Sequence, residues 1–146
     1  MTGQFEHAID AKGRLFVPAK LREELGPHFR LSIGEAKNAD GSMCRHLVLY
    51  PETVWAEMEA KLCALPPSQS SVADVIWANT VTCEPDAQGR INIPAELRDY
   101  AGLTKDTVIT GSINKAKIWD SAAWAKRSKP QLEPGRIADL FETLGI

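Results

Sequence analysis

Apolar and polar residues alternate over residues 4–10, which is the period-two pattern of a half-buried β-strand. The alternation returns at Leu15 and Val17 after a turn, so a second strand is predicted there. Pro18 then ends the strand, because proline donates no ladder hydrogen bond and suits the first turn of a helix. Gly26 can close the helix that follows. The chain is therefore predicted to begin with two strands and a short helix.

The same patterns divide the rest of the chain into short elements. Strands are predicted where β-branched and aromatic residues cluster, at 28–33, 47–50, 79–84, 107–113 and 116–119. Helices are predicted at 52–65, 72–77, 94–101, 121–127 and 134–144. The polar stretch 35–42 is predicted to be a loop between the first two of these strands. Together these elements predict a mainly β fold with short helices, of the α+β class.

One segment of seventeen residues occurs twice. Residues 10–26 align without a gap with residues 86–102 at an offset of 76, and nine of the seventeen positions are identical. Two copies of one structural unit are therefore predicted. Because halves of this size bury little surface alone, the copies are expected to pack together as a pseudo-dimer. The predicted boundaries are 1–65 for the first repeat, 66–71 for a linker, 72–128 for the second repeat and 129–146 for a tail with an amphipathic helix.

Composition and charge narrow the functional classes. Hydrophobic residues make up 44% of the 146 and charged residues 25%, as in ordinary globular proteins. No apolar run reaches membrane-spanning length, and the first six residues lack a signal-peptide pattern, so a cytoplasmic location without membrane attachment is expected. The three cysteines and three histidines are scattered rather than spaced as metal ligands. Reduced thiols, no metal site and no cofactor are therefore expected.

Each of the two aligned segments begins with a charged turn of the form Asp-x-x-Gly-Arg. The first turn runs from Asp10 to Arg14 and the second from Asp86 to Arg90. A three-residue loop that ends in glycine suits a hairpin whose last loop residue is left-handed. The aspartate and the arginine would then be cross-strand neighbours at the mouth of the hairpin.

Three interpretations of this Asp/Arg pair are open. It could be a surface ion pair that stabilises the hairpin by about 0.2–1 kcal/mol. It could instead be a binding device, in which the aspartate orients the arginine and the arginine contacts phosphate or guanine. A catalytic acid pair is disfavoured, because the neighbouring arginine would keep each carboxylate ionised. The chain also carries none of the common nucleophile or nucleotide-binding motifs, so no enzymatic activity is expected.

The doubled D-x-K/Q-G-R turn, followed each time by apolar-x-apolar-P-x-x-L-R, resembles the MraZ family of bacterial transcriptional regulators. The resemblance covers roughly residues 1–128. It implies two tandem swapped-hairpin β units of the AbrB-like type, assembled as a homo-oligomeric ring, an octamer or similar. It also implies binding to double-stranded promoter DNA in the nucleoid. The expected target is a set of short tandem repeats upstream of the cell-division and cell-wall gene cluster, which includes the protein's own gene.

The family's motif also implies roles for individual residues. The residues expected to contact DNA are Lys12, Arg14 and Arg90. The residues expected to orient the loops are Asp10, Gly13, Asp86 and Gly89. Gln88 stands where the first loop has lysine, so the second loop is expected to make fewer phosphate contacts. A ring would repeat these few basic residues and compensate by avidity for a net charge of −2 per chain.

Other recurring residues are interpreted as structural. Arg22 and Arg98 are expected to be solvated, or paired with Glu23 and Asp99, on the helix after each loop. The tryptophans on apolar faces are expected in the core or at a protomer interface rather than stacked on bases; these are Trp55, Trp119 and Trp124. The alternative function is a protein-interaction module whose loops recognise an acidic partner.

Overall fold

A computed structural model describes the whole chain, residues 1–146, as a six-stranded antiparallel sheet, a two-stranded ribbon and short helices. The strands are β1 (Gln4–Ala8), β2 (Arg14–Phe16), β3 (Phe29–Lys37), β4 (Met43–Pro51), β5 (Val81–Cys83), β6 (Arg90–Asn92), β7 (Asp106–Ser112) and β8 (Lys115–Asp120). The α-helices are α1 (Ala19–Leu25), α2 (Glu52–Cys63), α3 (Ser70–Ala78), α4 (Ala95–Ala101), α5 (Ser121–Ser128) and α6 (Arg136–Leu144). Two 3-10 turns lie at Pro67–Gln69 and Lys129–Leu132. The predicted mainly β, α+β fold is confirmed.

The two repeats exchange strands. In the large sheet the order is β1-β7-β8-β4-β3-β5, so β1 of the first repeat pairs with β7 of the second, and β5 of the second pairs with β3 of the first. The ribbon pairs β2 with β6 and also joins the repeats. This connectivity is the swapped-hairpin arrangement, and it makes the halves an intertwined pseudo-dimer.

The prediction that β1 and β2 pair with each other as a simple hairpin is wrong. The loop itself closes as expected, because the Asp10 amide donates to the Arg14 carbonyl at 3.0 Å. Beyond this bond the strands diverge, and each finds its partner in the other repeat. Divergence allows the inward side chains of β2 and β6, Leu15 and Ile91, to be almost fully buried in a core shared by both halves. A flat hairpin of three-residue strands would leave that apolar face uncovered.

The main core lies between the ribbon and one face of the large sheet. Helices α1 and α4 close its sides with Leu21 and Leu97, both of which are buried. The sheet contributes residues such as Leu49 of β4 and Ile118 of β8. Since all three layers draw on both repeats, neither half has a complete core of its own.

The opposite face of the sheet is covered by helices α2 and α5. Trp55 of α2 packs on Tyr50, with ring centroids 5.6 Å apart. Trp124 of α5 packs on Trp119 at 5.2 Å, and Trp119 also stacks on His46 at 4.2 Å. Trp55 and Trp119 are buried, which confirms the prediction that these aromatic residues are structural.

The polar loop predicted at 35–42 is shorter than expected, because its first three residues belong to a strand. Strand β3 continues to Lys37 and β4 begins at Met43, so only residues 38–42 form the turn. Glu35 lies opposite Arg45 in the extension, and their side chains form an ion pair with 3.7 Å between Arg45 Nε and Glu35 Oε2. The polar pattern reflects a solvent-exposed end of the hairpin, where charged cross-strand pairs replace apolar ones.

The predicted helices are present with small shifts at their ends. The last, α6, is the least attached: its apolar side chains are about half exposed, namely Ile137, Leu140, Phe141 and Leu144. Cys44 and Cys83 are buried, Cys63 is exposed, and none forms a disulfide. None of the helices combines the length and the apolar character that crossing a bilayer would require.

Candidate nucleic-acid interface

The first charged loop is organised by the carboxylate of Asp10. Its Oδ1 accepts hydrogen bonds from the backbone amides of Lys12 and Arg14, both at 2.9 Å. Its Oδ2 accepts from Arg14 Nε at 2.7 Å. Gly13 adopts a φ of +80°, a left-handed conformation that favours glycine, and its amide donates to the Asp10 carbonyl at 3.0 Å. One carboxylate thus fixes both the turn and the direction of the arginine.

The second loop repeats this construction. Asp86 Oδ1 accepts from the amides of Gln88 at 2.9 Å and Arg90 at 3.0 Å, and its Oδ2 accepts from Arg90 Nε at 2.9 Å. Gly89 has a φ of +79°. Since the two loops are the same despite Gln88 in place of lysine, the geometry depends on the aspartate, glycine and arginine.

The carboxylates of both loops are held ionised. The backbone hydrogen bond from Arg14 lowers the pKa of Asp10, and the backbone hydrogen bond from Arg90 lowers the pKa of Asp86. A carboxylate that accepts three hydrogen bonds in its charged form is a poor proton donor. This arrangement suits an orienting role for the aspartates and not general acid catalysis.

The ribbon brings the two arginines together. Arg14 lies opposite Asn92 and Phe16 lies opposite Arg90, so Arg14 and Arg90 are diagonal neighbours on the outward face of the ribbon. Arg90 Nη1 comes within 3.9 Å of Asp10 Oδ2, so the carboxylate of the first loop faces both guanidinium groups. The Asp-x-x-Gly-Arg loops therefore form one composite surface rather than two separate sites.

The arginines keep hydrogen-bonding capacity for a ligand. The side chains of Arg14 and Arg90 are 33% and 28% exposed. Each gives its Nε to the aspartate of its own loop, and the Nη groups of both arginines make no hydrogen bond within the chain. Lys12 and Gln88 are exposed at the loop tips. We call the outward surface formed by both loops and the outward face of the ribbon the arginine face.

Two further arginines, Arg22 and Arg98, border the arginine face. Both are partly exposed, but the predicted pairing with Glu23 and Asp99 is wrong, because their Nε groups bond to backbone carbonyls instead. Arg22 Nε donates to the Val17 carbonyl at 2.8 Å. Arg98 Nε donates to the Ile93 carbonyl at 3.0 Å. Each guanidinium lies against the glycine of the opposite loop. The sequence signal for these contacts is that an arginine occurs at the same position of both repeats.

Other classes of site receive no support from the side chains. No group of three or more histidine, cysteine, aspartate or glutamate residues is placed to hold a metal ion. A cavity of about 640 Å³ lies between β1, α5 and the second 3-10 turn and is lined by residues such as Glu6, Trp124 and Arg127. It shares no lining residue with the charged loops.

Comparison with known proteins establishes the family. The profile of the family described as "MraZ protein, putative antitoxin-like" matches residues 1–74 and 76–138. The chain belongs to the MraZ family. The match extends past residue 128, so part of the tail lies within the family's sequence.

Several named relatives agree with this assignment. Transcriptional regulator MraZ of Symbiobacterium thermophilum is 40% identical over 148 residues, which cover 99% of each chain. The protein of the same name from Lachnoclostridium phytofermentans is 37% identical over 99% of this chain and 96% of its own. That of Limosilactobacillus reuteri is 43% identical over 86% and 85%. The MraZ family is thus a family of transcriptional regulators and not of enzymes.

A solved structure is also similar, at a lower level. The solution structure of PHS018 from Pyrococcus horikoshii covers 79% of this chain and 84% of its own at 16% identity, with a TM-score of 0.33.

Proposed function

We propose that this MraZ-family chain is a sequence-specific DNA-binding regulator that contacts DNA through the arginine face. The observation that carries the proposal is the pair of loops in which Asp10 and Asp86 hold Arg14 and Arg90 on one outward face. A guanidinium whose Nε is already fixed presents its remaining N–H groups in a defined plane. This preorganisation favours bidentate contact with a phosphate or with the O6 and N7 atoms of guanine.

The roles within the face differ. Arg14 and Arg90 would make the oriented contacts, and Lys12, at the exposed tip of the first loop, would add a phosphate contact. Asp10, Gly13, Asp86 and Gly89 would hold the loops in shape without touching DNA. The second loop, with Gln88 at its tip, would bind more weakly than the first.

We further propose that the chains assemble as a homo-oligomeric ring on tandem repeats. A net charge of −2 per chain gives little long-range attraction to DNA, and three basic contacts per chain give weak, salt-sensitive binding. Repeating the arginine face around a ring, opposite repeated boxes in the DNA, would raise the affinity through effective concentration. The proposed target is the promoter of the cell-division and cell-wall gene cluster, including the protein's own gene, within the nucleoid.

The test is a gel-shift titration with the promoter upstream of the protein's own gene and a shuffled fragment of equal length. Arg14→Ala and Arg90→Ala are each expected to weaken promoter binding at least about tenfold, because a bidentate contact is lost. Lys61→Ala is the matched control, since it removes one positive charge from exposed α2 on the other side of the sheet. Equal binding of the promoter by wild type and both arginine variants would refute the proposal.

The alternative, a module that binds an acidic protein, would use the same arginines. It predicts equal affinity for the promoter and the shuffled fragment, together with a stronger response to an acidic peptide than to either DNA. Tighter binding to the promoter than to the shuffled fragment would support the DNA-binding regulator over the protein-interaction module.

A further inference from the structure

We propose that Arg22 and Arg98 are positioning residues, each of which holds the DNA-contacting loop that lies in the opposite repeat. Arg98 would hold the first loop through Gly13, and Arg22 would hold the second loop through Gly89. The inference rests on the proposed function for its effect on DNA binding, whereas the loop contacts themselves can be tested without DNA.

The contact of Arg98 with the first loop is close and directional. A Cβ placed on Gly13 would lie 3.1 Å from Arg98 Cζ and 3.2 Å from Nη2, so the flat guanidinium occupies the space that a side chain would need. Arg98 is held there by the bond from its Nε to the Ile93 carbonyl. The amide of Ile93 donates in turn to the Gly13 carbonyl at 2.8 Å. Gly13, Ile93 and Arg98 therefore form a closed set of contacts that joins the two repeats.

The contact of Arg22 with the second loop has the same form. A Cβ on Gly89 would lie 2.8 Å from Arg22 Cζ and 3.0 Å from Nε. Arg22 Nε donates to the Val17 carbonyl, and the Val17 amide donates to the Gly89 carbonyl at 2.9 Å. The second repeat thus contacts the first loop in the same way as the first repeat contacts the second loop. This symmetry indicates that the contact is a feature of the repeat and not of one surface side chain.

The arrangement makes each loop dependent on the other half of the chain. The glycine of each loop has a left-handed backbone and carries no side chain, and it is held to the other repeat by the opposing guanidinium and by one backbone hydrogen bond, from Ile93 or Val17. Removing Arg98 would leave the 10–14 turn its internal aspartate bonds and the Ile93 bond, but would remove the group that packs on Gly13. We therefore expect Arg14 to lose part of its orientation when Arg98 is removed, while Arg90 keeps its own.

The Nη groups of both arginines have no hydrogen-bond acceptor within the chain, and both side chains are partly exposed. Direct contact of these groups with phosphate is thus the competing explanation, and the experiment must separate it from positioning. The two explanations differ in which loop each arginine affects and in whether lysine can substitute. A lysine keeps the charge but cannot both donate as Nε does and lay a planar group on glycine.

The decisive experiment is a pair of double-mutant cycles measured by fluorescence anisotropy on promoter DNA. Arg98→Ala is expected to weaken binding about fivefold or more in the wild-type background and less than about twofold in the Arg14→Ala background. In the Arg90→Ala background, Arg98→Ala should again weaken binding about fivefold or more, as it does in the wild-type background. The cycle for Arg22→Ala should give the opposite pattern, with coupling to Arg90 and additivity with Arg14. Arg98→Lys should not restore binding.

Two results would overturn the proposal. Additive losses with both loop arginines, rescue by lysine and a salt slope reduced by about one per engaged chain would assign Arg98 to direct phosphate contact. Coupling to both loops, together with a large fall in the thermal unfolding midpoint, would make it a general structural residue.

A second measurement uses the free protein and separates this proposal from the proposed function. Hydrogen exchange followed by mass spectrometry should show faster exchange of the 10–14 amides in Arg98→Ala, with the 86–90 amides unchanged, and the reverse in Arg22→Ala. If the wild type binds no DNA, the proposed function fails, and this exchange pattern alone decides whether the arginines position the loops. Unchanged exchange in both loops would refute positioning.

Discussion

At the scale of single residues, the glycines of the charged loops have two constraints rather than one. Gly13 needs a left-handed backbone to complete the turn, which the sequence predicts from its position in the loop. It also needs the absence of a Cβ, because Arg98 of the other repeat lies where the Cβ would be. Only the first constraint is local, so only the first could be read from the sequence.

A comparison of two glycine-to-alanine changes separates these constraints. Gly41 has a φ of +88° and nothing within 4 Å of a Cβ, whereas Gly13 has a φ of +80° and meets Arg98 at 3.1 Å. Gly41→Ala should lower the free energy of unfolding by about 1–2 kcal/mol through backbone strain alone. Gly13→Ala should cost more and should also weaken promoter binding, while Gly41→Ala leaves binding unchanged. Chemical denaturation and gel shift measure both effects; equal losses of stability would contradict the second constraint.

At the scale of elements, the sequence predicts what local signals determine. Pro18 and Gly26 define α1, and Pro94 and Gly102 define α4 in the same way. The partner of a strand is not determined by local sequence. Strand β1 pairs with β7, about 100 residues away in sequence, as in the Phe5–Ile109 pair, and the residues of β1 alone do not indicate this partner. The charged loops could be predicted for the same reason as the helices. The strand exchange was expected only through the family resemblance, and the contacts of Arg22 and Arg98 were missed because they too join residues of different repeats.

Strand β4 contains a buried titratable group, packed against β8, whose effect on stability can be predicted. His46 lies 3% exposed beneath Trp119, with its Nδ1 3.4 Å from the Cys44 carbonyl. Burial lowers the pKa of His46 to about 4. Because the folded pKa is below the ordinary value of about 6.5, the unfolded chain binds the proton first as the pH falls. The stabilising contribution is therefore complete above pH 6.5 and is lost between pH 6.5 and 4.

This loss should amount to about 2 kcal/mol between pH 7 and pH 5. His46→Gln keeps a polar side chain near the Cys44 carbonyl but does not titrate. The free energy of unfolding of this variant should fall less than that of the wild type over the same range, by about the amount attributed to His46. Urea denaturation of both proteins at pH 7 and pH 5 measures the difference. Parallel pH dependence in the two proteins would show that His46 does not titrate as described.

At the scale of the whole molecule, the intertwined repeats explain why two short loops can act as one surface. The shared core and the β2–β6 ribbon hold Arg14 and Arg90 next to each other on one surface. The two loops are not equal. Gln88 occupies the position in the second loop that Lys12 occupies in the first, and Asp10 lies near both arginines. On the proposed function, one chain would offer about three cationic contacts to DNA, one fewer than perfect symmetry would give.

That number sets the expected response of promoter binding to salt. Each neutralised phosphate contributes a slope of about −0.9 to the plot of log affinity against log salt concentration. With Lys12, Arg14 and Arg90 as contacts, a single DNA box that engages one chain should give a slope of about −3, and two tandem boxes about −5. Lys12→Ala should reduce the magnitude by about one per engaged chain, whereas Lys61→Ala, far from the arginine face, should leave it unchanged. Anisotropy titrations from 50 to about 300 mM salt on one-box and two-box fragments measure these slopes. A slope that is flat, or the same for both fragments, would refute avidity from repeated loops, because joint binding of neighbouring chains must release more counterions than binding of one.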